Sequence, residues 1–204
     1  MPELPWKPVV YLPANLTVRL DAEVFQAEDP GPWSERTAAD LLGPGAKRKR
    51  VQRLAANLTR YADTLKSLKG RGLPTAAAVF FWPDFTSPRA TAEVYIVADD
   101  HPDGPLTIAR ARELTGPNKD SLGETEATEA EVPAGPAFRA HRYQALWGAF
   151  APLNVMEEVS WFIWPAGSHA TVIMTVSWRE RMFSTAGTTI ADDMARNFRI
   201  ERPV

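Results

Sequence analysis

The chain has no cysteine among its 204 residues. Disulfides, thiolate nucleophiles and cysteine-ligated zinc are excluded, as is a lipid anchor on a cysteine. Histidine is scarce: His101, His141 and His169 are the three present. No two of them stand at metal-ligand spacing, and no H-E-x-x-H occurs. A general base needs a group that orients it, and none is visible beside any of the three, so they are read as non-catalytic. A triad of His141 with a distant Ser and Asp, assembled only in space, stays open. No metal and no cofactor is expected.

Long apolar runs are also missing. The longest, Ala76 to Trp82, is far below the ~20 residues that a membrane helix needs. The start, MPELPWKPVVYLP, is broken by prolines and carries Glu3, with no apolar stretch of the kind a secretory leader uses. A soluble, cytoplasmic protein without membrane insertion is expected. A phosphate loop is lacking too. GPGAKRKR (43–50) has glycines before a basic helix but not the G-x-x-x-x-G-K-[ST] spacing. It reads as the end of one helix and the start of the next.

What is present is ordinary globular material: 45% hydrophobic and 24% charged residues, with a formal charge of −2. The charge is unevenly spread. KRKRVQRLAANLTRYADTLKSLKGR (47–71) holds nine Lys or Arg against Asp63 alone, while the rest of the chain is strongly acidic. Within it Val51, Leu54, Ala55, Leu58, Tyr61, Ala62 and Leu65 recur at i, i+3, i+4 and i+7. That spacing predicts an amphipathic helix over 46–69, closed by Gly70 and Gly72. Its outer face carries Lys49, Arg53 and Arg60. Tyr61, the one aromatic, lies on the apolar side, so a nucleic-acid groove with interleaved aromatics is disfavoured. The favoured partner is a protein with an acidic surface, and a homo-oligomer is left open.

Two short strands are expected at the start, Val9 to Leu12 and around Leu16 to Leu20, then a helix over 32–42. TAAAVFFW (75–82) is continuously apolar, as in a strand covered on both faces, and pairs with the alternating stretch 90–97. A short helix is expected over 106–114. Residues 116–131 are acidic and poor in large apolar residues, and read as a mobile connection. A strand follows over 137–145, and 145–154 is ambiguous. Two alternating strands, around Val159–Trp164 and Ala170–Trp178, flank the turn PAGS, and a last helix spans 188–198. Trp33, Trp82, Trp161 and Trp178 fit core positions. Phe162 and Trp164 share the face opposite Trp161. If that face is uncovered they form an exposed aromatic patch, and if helices cover it they are core. The carboxylate pairs Asp99–Asp100, Glu157–Glu158 and Asp192–Asp193 are not read as catalytic. Glu157 and Glu158 alternate between faces, and the 192–193 pair lies on a helix flank exposed to solvent.

Strand hairpins with helices towards either end predict one α+β domain over 1–204. Its twisted, mainly antiparallel sheet is covered by the 46–69 helix and the 188–198 helix. Several segments occur in order: WSERTAADLL (33–42), the basic helix, LPTAAAVFFW (73–82), VPAGPAFR (132–139), the strand–PAG–strand unit ending in TVSW, and IADDMARNFRI (190–200). Together they resemble an uncharacterised actinobacterial family of similar length. The layout also resembles the PsbP-like α/β/α sandwich, whose members mostly bind proteins or lipids without a shared active site. That resemblance implies a non-enzymatic binding or adaptor protein acting through protein contacts. The alternative is a small-molecule or lipid carrier with a pocket between sheet and helix. Lys49, Arg53, Arg60, Phe162 and Trp164 are the candidate contact residues.

Overall fold

The computed structural model describes residues 7–12, 17–20, 24, 28–67, 74–81, 84–85, 88–99, 104–146 and 154–201. Trp82, His101, Gly70, Gly72 and most of the ambiguous 145–154 stretch lie outside them. The strands are β1 (Lys7–Val9), β2 (Thr17–Leu20), β3 (Ala76–Phe81), β4 (Pro88–Ala98), β5 (Glu126–Val132), β6 (Gly135–Leu146), β7 (Asn154–Ile163), β8 (Ala170–Trp178) and β9 (Arg199–Glu201). The helices are α1 (Gly31–Leu42), α2 (Arg48–Ser67), α3 (Ile108–Thr115) and α4 (Ser184–Asn197). β1 and β9 form a small two-stranded sheet, apart from the ladders β2–β3–β4 and β8–β7–β6–β5. The chain is α+β, as its patterning predicts. It clusters into two compact units, residues 14–95 and residues 1–13 with 96–204.

In the first unit β2, β3 and β4 run antiparallel in that order. α2 turns Leu54, Ala55, Leu58, Ala62 and Leu65 inward, the stripe set by its spacing. They pack on Val18 and Leu20 of β2, on Ala77, Val79 and Phe81 of β3, and on Ala38 of α1. Each fully buried leucine contributes about 1.5–3 kcal/mol from apolar area removed from water. All six β3 residues are buried, as a continuous apolar strand requires. α1 begins beside a proline in its first turn and ends at Gly43, whose φ of 74° a side chain would resist.

In the second unit β8, β7, β6 and β5 follow one another, each pair antiparallel. α4 packs on β7 and β8. It begins at Ser184, a turn before the expected start. Gly187 looks like a helix breaker in sequence, yet it sits inside α4 for a packing reason. A Cβ there would come within 2.5 Å of the Trp178 indole, so the helix reaches the sheet only because the position is glycine. The opposite face is closed by Leu106 and α3, which gather Ala111, Phe138, Ala140 and Phe162 into a second core cluster.

Two sequence expectations are corrected. Residues 126–132 are a strand and not part of a mobile connection. Glu126 to Glu129 are exposed on both faces, so no apolar alternation marks them, and the ladder to β6 supplies the order instead. β9 was not expected: its Arg199 to Glu201 pair with β1 across nearly the whole chain length, a contact no local pattern records.

Candidate functional site

Lys49, Arg53 and Arg60 all lie exposed on the outer face of α2. Arg50, beside them, reaches Asp84 at 3.0 Å in a half-exposed pair that screening leaves weak. Arg60 also edges an open groove of about 750 Å³ along α1 and α2, lined with Gly31, Glu35, Gln52, Ala55 and Asp63. The groove is open and mixes alanine and glycine with charged and hydroxyl side chains, unlike the enclosed apolar cavity of a lipid carrier.

Phe162 and Trp164 are not an exposed aromatic pair. Phe162 is 4% exposed and its ring lies 6.1 Å from that of Phe138, tilted by 56°. Trp164 is half-buried against the same cluster, and its indole N–H donates to the Leu106 carbonyl at 2.6 Å. Leu106 and α3 cover this face, so Phe162 belongs to the core and cannot meet a partner directly.

Among the described residues a cluster of buried polar chemistry lies elsewhere, on β6 and β7. Their register sets Tyr143 opposite Glu157, Arg142 opposite Glu158, and Arg139 opposite Trp161. Glu157 is 5% exposed and collects four donors. The Ser184 hydroxyl donates to Oε1 at 2.6 Å, and the His141 ring meets the same oxygen through Nε2 at 2.8 Å. The Tyr143 hydroxyl reaches Oε1 at 3.3 Å, and the Trp178 indole donates to Oε2 at 2.9 Å. The other His141 nitrogen, Nδ1, faces exposed Glu126 at 3.4 Å. Burial by itself would raise the Glu157 carboxyl. The hydrogen bonds from Ser184, His141 and Trp178 outweigh it and hold that carboxyl below the usual carboxylate range. Burial and the Glu157 charge push the Tyr143 phenol up.

Glu158 points to the other face, as strand alternation requires, and is 8% exposed. Arg142 donates to its Oε1 from Nε at 2.8 Å and Nη2 at 2.6 Å, and to the Leu114 carbonyl at 3.3 Å. Ser160 donates to the same Oε1 at 3.2 Å. On the α4 side Asp192 accepts from Arg139 Nε at 2.9 Å and from the Trp161 indole at 3.1 Å. Asp192 is thus a largely buried tie between α4 and the sheet and not the solvated carboxylate its helical position implies.

Sequence reading missed this cluster. The orienting carboxylate for His141 lies sixteen residues away across a strand pair. A basic residue, a histidine and a tyrosine alternating on β6 (139, 141, 143) opposite Trp161 and Glu157 was the available signal, legible only once the register is known. The arrangement differs from that of an activated serine. Ser184 gives its proton to a carboxylate that His141 also occupies, and an active serine would instead donate to the imidazole. Donors converging on a buried anion fix geometry. Among the described residues no three acidic or histidine side chains are grouped to hold a metal, and no helix is long and apolar enough to cross a membrane.

No protein-family model and no curated protein matches the chain. Solved structures are similar to it at low identity. One is LpqN, involved in cell envelope biogenesis of Mycobacterium tuberculosis. It shares 12% identity and a TM-score of 0.46, over 98% of this chain and 86% of that one. Another is the Ran-binding protein Mog1p of Saccharomyces cerevisiae, with 15% identity and a TM-score of 0.38, over 64% of this chain and 82% of that one. At these scores neither likeness transfers a function.

Proposed function

We propose that the chain is a non-enzymatic binding or adaptor protein that works through protein–protein contacts, with the outer face of α2 as its contact surface. The observation that supports this reading is the placement of Lys49, Arg53 and Arg60. They form an exposed basic line on a helix whose apolar side is wholly committed to the core. Such a face attracts an acidic protein surface and steers its approach. Nucleic acid fits less well, since no aromatic side chain interleaves the basic line and the remainder of the chain is acidic. The small-molecule or lipid alternative asks for an enclosed apolar cavity, and the groove along α1 and α2, open to solvent, lends it little support. Kinship with the actinobacterial family and the PsbP-like sandwich, a single domain over 1–204, and a cytoplasmic setting belong to the same proposal.

The test is quantitative affinity capture from the native host with the wild-type chain and a Lys49→Glu, Arg53→Glu, Arg60→Glu variant of unchanged thermal midpoint. Partners with acidic surfaces, held by the wild type at low salt and lost by the variant, support the reading. Equal capture by both chains overturns it.

A further inference from the structure

Among the described residues β5 is an end strand, with β6 its one neighbour in the hydrogen-bonded order. β5 is seven residues long, about 23 Å at ~3.3 Å per residue. Glu126, Ala127, Thr128, Glu129 and Glu131 are exposed. An open edge of that length carries a row of unpaired backbone groups, the template on which a further strand forms.

Which groups face outward follows from the register. β5 and β6 are joined by a two-residue turn, Pro133–Ala134, closed by Val132 opposite Gly135. A closing pair of this kind exchanges both of its backbone bonds, and such pairs then alternate along an antiparallel ladder. Val132, Ala130, Thr128 and Glu126 therefore bond inward to β6. Ala127, Glu129 and Glu131 turn N–H and C=O to the open side. Pro136 agrees with this assignment: it stands opposite Glu131, has no amide to give, and its carbonyl accepts from the Trp164 amide at 2.9 Å on the β7 side.

The side chains select the occupant. Glu129 and Glu131 lie on one face of β5, and Glu126 on the other. Glu129 is shared with Arg112 at 2.9 Å, and Glu126 faces His141 at 3.4 Å; both glutamates remain mostly exposed. Glu131 enters no ion pair among the described residues. A second β5 laid along this edge would set glutamates against glutamates, which cross-strand repulsion disfavours. A basic segment meets the opposite sign at Glu126, Glu129 and Glu131.

We propose that the open edge of β5 is a strand-addition site for an extended Lys- or Arg-bearing segment of a partner protein. Antiparallel pairing opposite Glu131, Glu129 and Glu126 sets the preferred pattern as basic-x-basic-x-x-basic. Backbone bonds to Ala127, Glu129 and Glu131 hold the segment, and the glutamates choose it. This surface is separate from the basic face of α2 and of opposite charge, so it stands or falls independently of the α2 contact.

The test is a fluorescence-anisotropy titration of the full chain with a labelled Thr/Val peptide carrying Lys-x-Lys-x-x-Lys. Saturable binding is expected, weakened at least tenfold by Glu126→Lys with Glu131→Lys. It should be abolished by N-methylating the alternate peptide amides that would face β5. Hydrogen exchange of the wild type supplies a second readout: the Ala127, Glu129 and Glu131 amides should exchange fast alone and become protected with peptide bound. Absence of binding, equal binding of the N-methylated peptide, or no new protection at these amides overturns the proposal. So does concentration-dependent self-association that protects the same amides, which would make a second copy the occupant.

Discussion

The outer face of α2 and the β6–β7 pair hold charge in opposite ways. On α2, Lys49, Arg53 and Arg60 project into solvent, where water screens them, and the neighbouring pair of Arg50 with Asp84 is half exposed. On β6 and β7, Glu157 and Glu158 are buried and accept from tyrosine, tryptophan, serine, histidine and arginine donors. The first arrangement is conspicuous in sequence, and solvent-exposed charges as a rule contribute little to folding. The second is two adjacent glutamates in a strand, unremarkable in sequence, yet it ties β6, β8 and α4 to β7. A charge that stays in water remains available to a partner. A charge that has left water is committed to the fold, because any donor that loses it is left unsatisfied.

The sharpest way to break this contrast is Glu157→Ala. It strands the Trp178 indole, the Ser184 hydroxyl and His141 in a buried site, and a loss of about 3–5 kcal/mol in urea denaturation is expected. Glu157→Gln keeps a neutral acceptor and should cost less. A loss below about 1 kcal/mol for the alanine variant would show that the cluster does not hold the unit together.

Leu58→Ala probes the first unit through its apolar side. Leu58 is 1% exposed in the α2 stripe, so deletion should cost about 2–5 kcal/mol. An unchanged denaturation midpoint would contradict the packing of α2 on β2 and β3.

A smaller effect distinguishes the two regions by pH. The folded state holds the Glu157 carboxyl below its unfolded value, so its stabilisation is complete above the ordinary carboxylate range. That contribution fades as pH falls through the lowered folded value, and stability drops with acid. The side chains facing this group are His141, Tyr143, Trp178 and Ser184, with Glu126 behind the histidine. Denaturation curves at neutral and at acid pH should show a shallower acid loss for Glu157→Gln than for the wild type. Identical acid slopes would remove Glu157 as a source of the pH dependence.

The parts of the fold legible in sequence are those with a local period. The α2 stripe repeats every three to four residues, β7 and β8 alternate, and β3 is continuously apolar, and each appears where its pattern places it. The illegible parts depend on distant partners. β5 has no apolar face because it sits at an edge, and only its ladder to β6 makes it a strand. The start of α4 is hidden by Gly187, whose reason is the Trp178 ring on another element. Asp192 looks solvated until Arg139, fifty-three residues earlier, is laid beside it. The candidate surface divides in the same way. Lys49, Arg53 and Arg60 follow from helical spacing alone. The burial of Phe162 depends on Leu106 and α3, whose packing no spacing within β7 announces.

The smallest expected effect is the one that tests the other half of the contrast. Reversing Arg53 and Arg60 to Glu places charge of the opposite sign on positions that water already screens, and a change within about 0.5 kcal/mol per site is expected. Neither residue lies in the buried stripe, and the apolar contacts of α2 are untouched. Asp63 and Glu35 are the acidic groups that border the same groove as Arg60, so the reversal at that site adds mild repulsion which moderate salt should erase. A thermal midpoint that matches the wild type at physiological salt would leave this face free for an acidic partner. A loss comparable to that of Leu58→Ala would instead place Arg53 and Arg60 within the folding architecture, and the distinction between screened and committed charge would fail on α2.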